Sequence, residues 1–328
     1  MPIDDCFISV LICSKGRSID EVFPHLIQIK ENLNYPKSEV ILVDGNEDQA
    51  LKNVAEAIGL NYVFEPRNGI ATARNSGIEA SKGDVVAFTD DDCIIEVDWA
   101  KRIAQHFIND RELDGLGGVD LTPKTASPLQ KVMGIIDDLP RNSGSGHWAA
   151  YRMKNCNCAY RKASIVKYGK YDPSFIRAGE DYELNLRLYE RGCNLDFDNS
   201  LVIYHERISS FQNCWRKFYS YGYWSFKVFS KHPAEFLKTV DVLPQITIYI
   251  GIAFIFLLFT LNPVPLVVLL TLVTGYLGFW TLRCVRFKRD LLKYSFHIFS
   301  ILVIRNLAQG LGFHHGCLGT IRRKFSRS

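Results

Sequence analysis

Three carboxylates stand side by side at Asp90, Asp91 and Asp92, directly after the apolar run Val85–Phe88. Adjacent like charges repel, so a hydrophobic strand that ends in three of them asks for a neutralising partner. A hard divalent cation is one answer. Mg2+ or Mn2+ takes one or two carboxylates and leaves positions for phosphate oxygens. Asp90 and Asp92 have the Asp-x-Asp spacing that lets two oxygens face one side of a turn. The triplet also reads as a solvated acidic turn, or as an acidic cap before VDWAKRIAQHF. Asp181 falls in the first turn of an expected helix, where the helix dipole favours a carboxylate by roughly 0.3–1 kcal/mol. An ionised carboxylate beside a pocket serves as a general base, although an ordinary helix-start charge looks the same. His205 follows NSLVIYH and becomes a ligand only where a metal site lies nearby.

The elements that must carry these residues show in the first 120 residues. The runs FISVLIC, EVILVD and DVVAFTD are separated by amphipathic stretches at Ile19–Glu31, Asp48–Ile58 and Ile70–Ala80. That rhythm predicts βαβ units and an α/β fold with a mainly parallel sheet. The strand runs are continuously apolar, as expected where both faces are covered. Ligands of such sheets bind beyond the carboxyl ends of the strands, and those ends carry Ser14-Lys15, Asp44 and Asp90–Asp92. Residues 121–154 are rich in Pro, Gly and Ser and are expected to form a loop-rich excursion serving as a lid. The stretch IRAGEDYELNLRLYERG predicts a helix that starts after Gly179 and stops at Gly192.

Charge divides the chain in two. Residues 1–230 hold 27 Lys+Arg against 32 Asp+Glu, and residues 231–328 hold 12 against 3. The front half has no basic stripe, which argues against nucleic acid as a partner. Leu243–Leu261 and Val264–Leu282 are uncharged 19-residue runs joined by Asn262-Pro263. Each suits a bilayer core of about 30 Å. The basic cluster from Arg283 to Lys293 follows, so the positive-inside rule places that flank and the front domain in the cytosol. A further apolar segment within 294–312 contains His297, Arg305 and a run of glycines, and is expected to span or to lie re-entrant in the interface. Nine cysteines without a CxxC pair read as reduced thiols. The opening residues lack a basic n-region, so no signal peptide is expected.

Taken together, these residues resemble the family 2 glycosyltransferases of the GT-A fold, over about residues 7–230. ISVLICSKGR is similar to the family's first strand and nucleotide loop, and EVILVDGNED to its second. NGIATARNSGIEASKGDVVAFTDDD is the strongest match, with NCAYRK and AGEDYELNLRLYERG similar to the acceptor-side segments. The resemblance implies a catalytic domain at 1–230 and a membrane-anchoring tail at 231–328. It implies Asp90, Asp92 and His205 as ligands of Mg2+ or Mn2+, and Asp181 as the base. Ser14, Asp44 and Asp91, with the charges of Arg67 and Arg74, are implied on the side of a nucleoside diphosphate sugar. Asn157, Glu180 and Arg187 are implied on the acceptor side. The expected reaction is inverting transfer to a lipid-linked sugar or glycan at a membrane. A polyprenyl-phosphate sugar synthase and a membrane-anchored nucleotide-sugar binder without catalysis are the alternatives. Two departures matter. The nucleotide loop reads Cys13-Ser14-Lys15-Gly16 where the family has Pro-Thr-Tyr-Asn. QNCWR at Gln212–Arg216 reverses the Trp and Arg of processive members, which points to a non-processive enzyme.

Overall fold

In a computed structural model the described residues are 6–138, 153–237, 249–250, 267, 271, 274–276, 278–283 and 293–325. They divide into two compact units, Met1–Pro123 with Gly144–Glu206, and Lys124–Ser143 with Arg207–Ser328.

The first unit opens with the expected alternation. Strands β1 (Ile8–Ser14), β2 (Ser38–Asp44), β3 (Asn61–Phe64) and β4 (Val85–Asp90) are separated by helices α1 (Ile19–Asn32), α2 (Leu51–Ala57) and α3 (Ile70–Ala80). These strands pair parallel, in the order β3-β2-β1-β4. Their apolar runs are buried: Ile8, Val10, Leu11, Ile12, Leu42, Val43 and Val85–Phe88 are all sealed from solvent. A Ser18–Glu21 capping box starts α1, the two side chains satisfying orphan amides at the helix entry.

After β4 the chain departs from the mainly parallel expectation. Strands β5 (Cys93–Ile95), β6 (Leu113–Leu121), β7 (Cys158–Arg161) and β8 (Asn194–His205) continue the same sheet as β4-β7-β6-β8-β5. Here β7 runs antiparallel to both β4 and β6, β5 runs antiparallel to β8, and only β6–β8 is parallel. The sheet is therefore mixed. Helix crossovers impose parallel pairing on the first half; beyond Asp90 the connections are turns and longer excursions that leave direction free. Helices α4 (Trp99–Asn109), α6 (Lys162–Lys167) and α7 (Glu180–Glu190) complete this unit. Helix α5 (Pro128–Asp138) belongs to the second.

Helix α5 corrects part of the loop reading of 121–154. A box between Ser127 and Gln130 caps it, Gln130 accepting from the Ser127 amide at 2.9 Å. Leu129, Val132, Met133 and Ile136 form its buried face. The remaining lid residues, 139–152, lie outside the described residues.

In the second unit, α8 (Phe211–Lys231) and α9 (Pro233–Leu237) precede α10 (Ser295–Phe325). In this part of the chain the second compact unit begins at Arg207, and within it α8 packs with α10. The glycines of the third apolar segment sit inside one continuous helix. A side chain at Gly222 would lie 1.9 Å from the Gln309 carbonyl, and one at Gly312 would lie 2.0 Å from that of Tyr219. The two backbones touch, which offsets the helix cost of glycine, about 1 kcal/mol per residue. Among the described residues one helix segment, Ser295–Thr320, is long and apolar enough to cross a membrane. The two 19-residue runs lie largely outside the described residues.

Candidate active site

The register of β1, β2 and β4 sets the first group of side chains at one level. Ser14 pairs with Asp44 across β1–β2, and Cys13 pairs with Asp90 across β1–β4. The three polar strand ends therefore share one rim. Ser14 Oγ donates to Asp91 Oδ2 at 2.6 Å. Asp44 is fully buried and accepts from the Asn46 amide and the Tyr62 hydroxyl, both at 2.9 Å.

His205 arrives by a different route. It closes β8, and the antiparallel register with β5 sets it opposite Cys93, the residue after the triplet. His205 Nε2 stands 3.3 Å from Asp92 Oδ1. Donor atoms of Asp90, Asp92, Cys93 and His205 all lie within 4.8 Å of one another. Two carboxylates and an imidazole fit a hard or borderline divalent cation. A second cluster, Asp120, Cys156 and His205, meets the same distance limit.

Arginines surround the triplet. Arg17 Nη1 reaches Asp91 at 3.0 Å and Asp92 at 3.2 Å. Arg74 is buried, pairs with Glu180, and stands 3.5 Å from Asp90. Burial pushes the Asp90 carboxyl up to about 7, Arg74 acting against it and Cys156 and Asp92 adding to it. Burial also raises Asp91, against the pull of Ser14 and Arg17. Burial opposes the Asp92 charge too, yet there the His205 hydrogen bond and charge prevail and its value is lowered. His205 is held well above its ordinary value by Asp120 and Asp92 despite burial. The rim is an under-neutralised anionic socket.

Gly179 precedes α7 in a left-handed conformation, φ 83°, that favours glycine. It aims the first turn of the helix, Glu180 and Asp181. Glu180 is buried against Arg74 and receives Asn155 Nδ2 at 3.2 Å. Its second oxygen has no hydrogen-bond partner among the described residues. A buried orphan acceptor is uncommon, and a ligand hydroxyl would satisfy it. Asp181 is half-buried, its Oδ1 accepting from the Tyr182 amide at 2.8 Å.

Three expected residues have other partners. Arg67 closes on Glu65 with two hydrogen bonds, at 2.7 and 2.6 Å, and its side chain is 70 % exposed. Asn157 accepts the Trp99 indole at 2.8 Å and donates to the carbonyls of Val119 and Leu201 at 2.9 Å. Arg187 grips Glu183 twice at 2.9 Å and donates to the Tyr168 and Lys170 carbonyls. Asn157 and Arg187, expected on the acceptor side, thus bond protein groups and brace the fold. Conversely, Arg17, Cys93, Asp120, Lys154 and Cys156 were missed. Arg17 and Asp120 carried a readable signal, a charge beside the carboxyl end of a strand. The cysteines carried none.

Residues 9–165 match the description Glycosyl transferase family 2. The chain is 24% identical over 200 residues to the glucosyl-dolichyl phosphate glucuronosyltransferase of Haloferax volcanii, covering 56% of this chain and 64% of that one. It is 27% identical over 209 residues to glycosyltransferase AglE of the same organism, covering 61% and 66%. The chain thus spans a little under two thirds of each. The fold is similar to that of a mannosyltransferase from Pyrobaculum calidifontis, solved with GDP-Man and Mn2+. The TM-score is 0.62 at 14% identity, covering 93% of this chain and 88% of that one. The acid-tipped strands and the matched residues agree: residues 9–165 of this chain form a family 2 glycosyltransferase domain.

Proposed function

We propose that the chain transfers a sugar, with inversion, from a nucleoside diphosphate sugar to a lipid-linked acceptor at a membrane. The observation that carries this reading is the closeness of the Asp90, Asp92 and His205 donor atoms at the rim of the parallel strands. Asp90, Asp92 and His205 would hold Mg2+ or Mn2+, which supplies charge stabilisation to a departing diphosphate. The likeness in fold to a mannosyltransferase solved with GDP-Man and Mn2+ supports the same assignment.

The chain's own groups divide the work. Ser14 and Arg17 hold Asp91, which fixes the middle of the triplet. Asp44 sits at the same level, where the base of the nucleotide would rest. Arg74 ties Asp90 to Glu180 and so couples the donor rim to the first turn of α7. Glu180 offers its orphan oxygen to a sugar hydroxyl. Asp181 takes the proton of the acceptor hydroxyl as it attacks the anomeric carbon from the face opposite the nucleotide. A single displacement of that kind inverts the centre.

A lipid-linked acceptor is supported by the relationship to a glucosyl-dolichyl phosphate glucuronosyltransferase. The apolar helix segment Ser295–Thr320 and the basic C-terminal region also suit a membrane. Residues 231–328 act as a multi-pass anchor with the catalytic domain cytosolic, and transfer is non-processive.

A thermal-shift and calorimetric titration of the full chain with GDP, UDP and their sugars, with Mn2+ or with EDTA, tests the reading. Stabilisation by one nucleotide that requires Mn2+ is expected. Nucleotide binding that is indifferent to EDTA would remove the metal from the proposal, and no nucleotide binding would remove the donor.

A further inference from the structure

His205 stands between two carboxylates, one at each ring nitrogen. Nε2 lies 3.3 Å from Asp92, and Nδ1 lies 3.6 Å from Asp120 Oδ2, an ion-pair separation just outside hydrogen-bond range. Asp120 is only 2% exposed. Strand register explains the meeting. In the parallel β6–β8 ladder Asp120 pairs with Ile203, and His205 lies two residues further on, on the same face of its strand.

Asp120 is a poor candidate for a second metal ligand, although its oxygen, Cys156 Sγ and a His205 nitrogen are close enough. Lys154 Nζ already sits 2.7 and 2.8 Å from its two oxygens. The ammonium supplies the cation and holds the carboxylate in one orientation. An anchored carboxylate behind a histidine is the arrangement that fixes the ring and makes its far nitrogen a better ligand.

We propose that Asp120, braced by Lys154, is a positioning residue that sets the His205 ring so that Nε2 faces Asp92 and the metal socket. The role rests on the reading of Asp90, Asp92 and His205 as metal donors. In this role Asp120 acts through His205.

Asp120→Asn keeps the shape and removes the charge. In calorimetry of the full chain with Mn2+, in the presence of GDP or UDP, the variant is expected to bind Mn2+ roughly 10–100-fold more weakly than wild type. Asp120→Glu should recover part of the loss. A second readout needs no metal. In full-length protein with 15N-labelled histidine, the His205 Nδ1 resonance should move between wild type and Asp120→Asn, because the charge facing that nitrogen is lost. A merely structural Asp120 would alter unfolding temperature without changing either measurement. Equal Mn2+ affinity in wild type and Asp120→Asn overturns the inference alone, as does a His205 Nδ1 resonance that is the same in both proteins. Wild-type protein that binds no Mn2+ overturns the metal reading and this role together.

Discussion

Two regions of the molecule bury charge in opposite balance. On the sheet rim five carboxylates, Asp90, Asp91, Asp92, Asp120 and Glu180, share Arg17, Arg74, Lys154 and His205, and Asp90 is driven up to about 7. In the second unit a single carboxylate, Asp137, receives Arg207 at 3.4 Å and Lys217 at 3.1 Å. There burial opposes the Lys217 charge, yet Asp137 holds it raised. The first region has anionic capacity to spare, and the second uses its carboxylate on the protein's own cations. Removing one partner of a buried pair leaves an uncompensated charge, whereas removing one of several crowded like charges relieves repulsion. The difference separates a group kept for a ligand from a group kept for the fold.

The largest expected effect lies on the rim side. Asp181→Asn should retain donor affinity and lower turnover by about 10²–10⁴, the usual worth of a general base. Initial rates alongside donor titration would show it, and a near-normal rate would remove Asp181 from that role. On the other side, Asp137→Asn should cost about 1.5–3 kcal/mol of stability, the usual worth of hydrogen bonds to a charged group. Denaturant unfolding of purified protein measures this, and a loss near zero would dissolve the contrast between the regions. The smallest effect is the most diagnostic. The Asp90 carboxyl is raised from 3.8 to about 7 in the fold, so ionising it disfavours the folded state. Metal-free protein should lose that part of its stability as pH rises through this window, and added Mn2+ should restore it. Asp90→Asn should flatten the slope while weakening Mn2+ binding. A wild-type slope of the opposite sign would mean that the rim is fully neutralised without an ion.

The helix pair α8–α10 shows where reading from sequence reaches its limit. Local patterns specify a helix well, since spacing and caps act over a few residues. Thus α7 begins directly after Gly179, where the sequence places its start. Glycines near Arg305 carry a local penalty as helix residues. Only the carbonyls of Gln309 and Tyr219, lying against Gly222 and Gly312, reveal that the penalty is offset by close packing.

The same division holds at the site. Residue type and strand-end position were enough to mark Asp90 and Asp92 as chemically capable, because a carboxylate run after an apolar strand is conspicuous in one dimension, whereas the roles expected of Asp181 and His205 came with the family resemblance. Partner choice was settled in three dimensions. Arg67 turned to Glu65, Asn157 to Trp99, and Asp120 to His205 and Lys154. Those pairings depend on strand register and on which backbones approach, and register is decided by the whole sheet. The sequence by itself determined the alternating α/β front, its acidic strand ends and the apolar, basic C-terminal half. The tertiary structure alone decided which charges meet, because a charge's partner is chosen by distance through space and not along the chain.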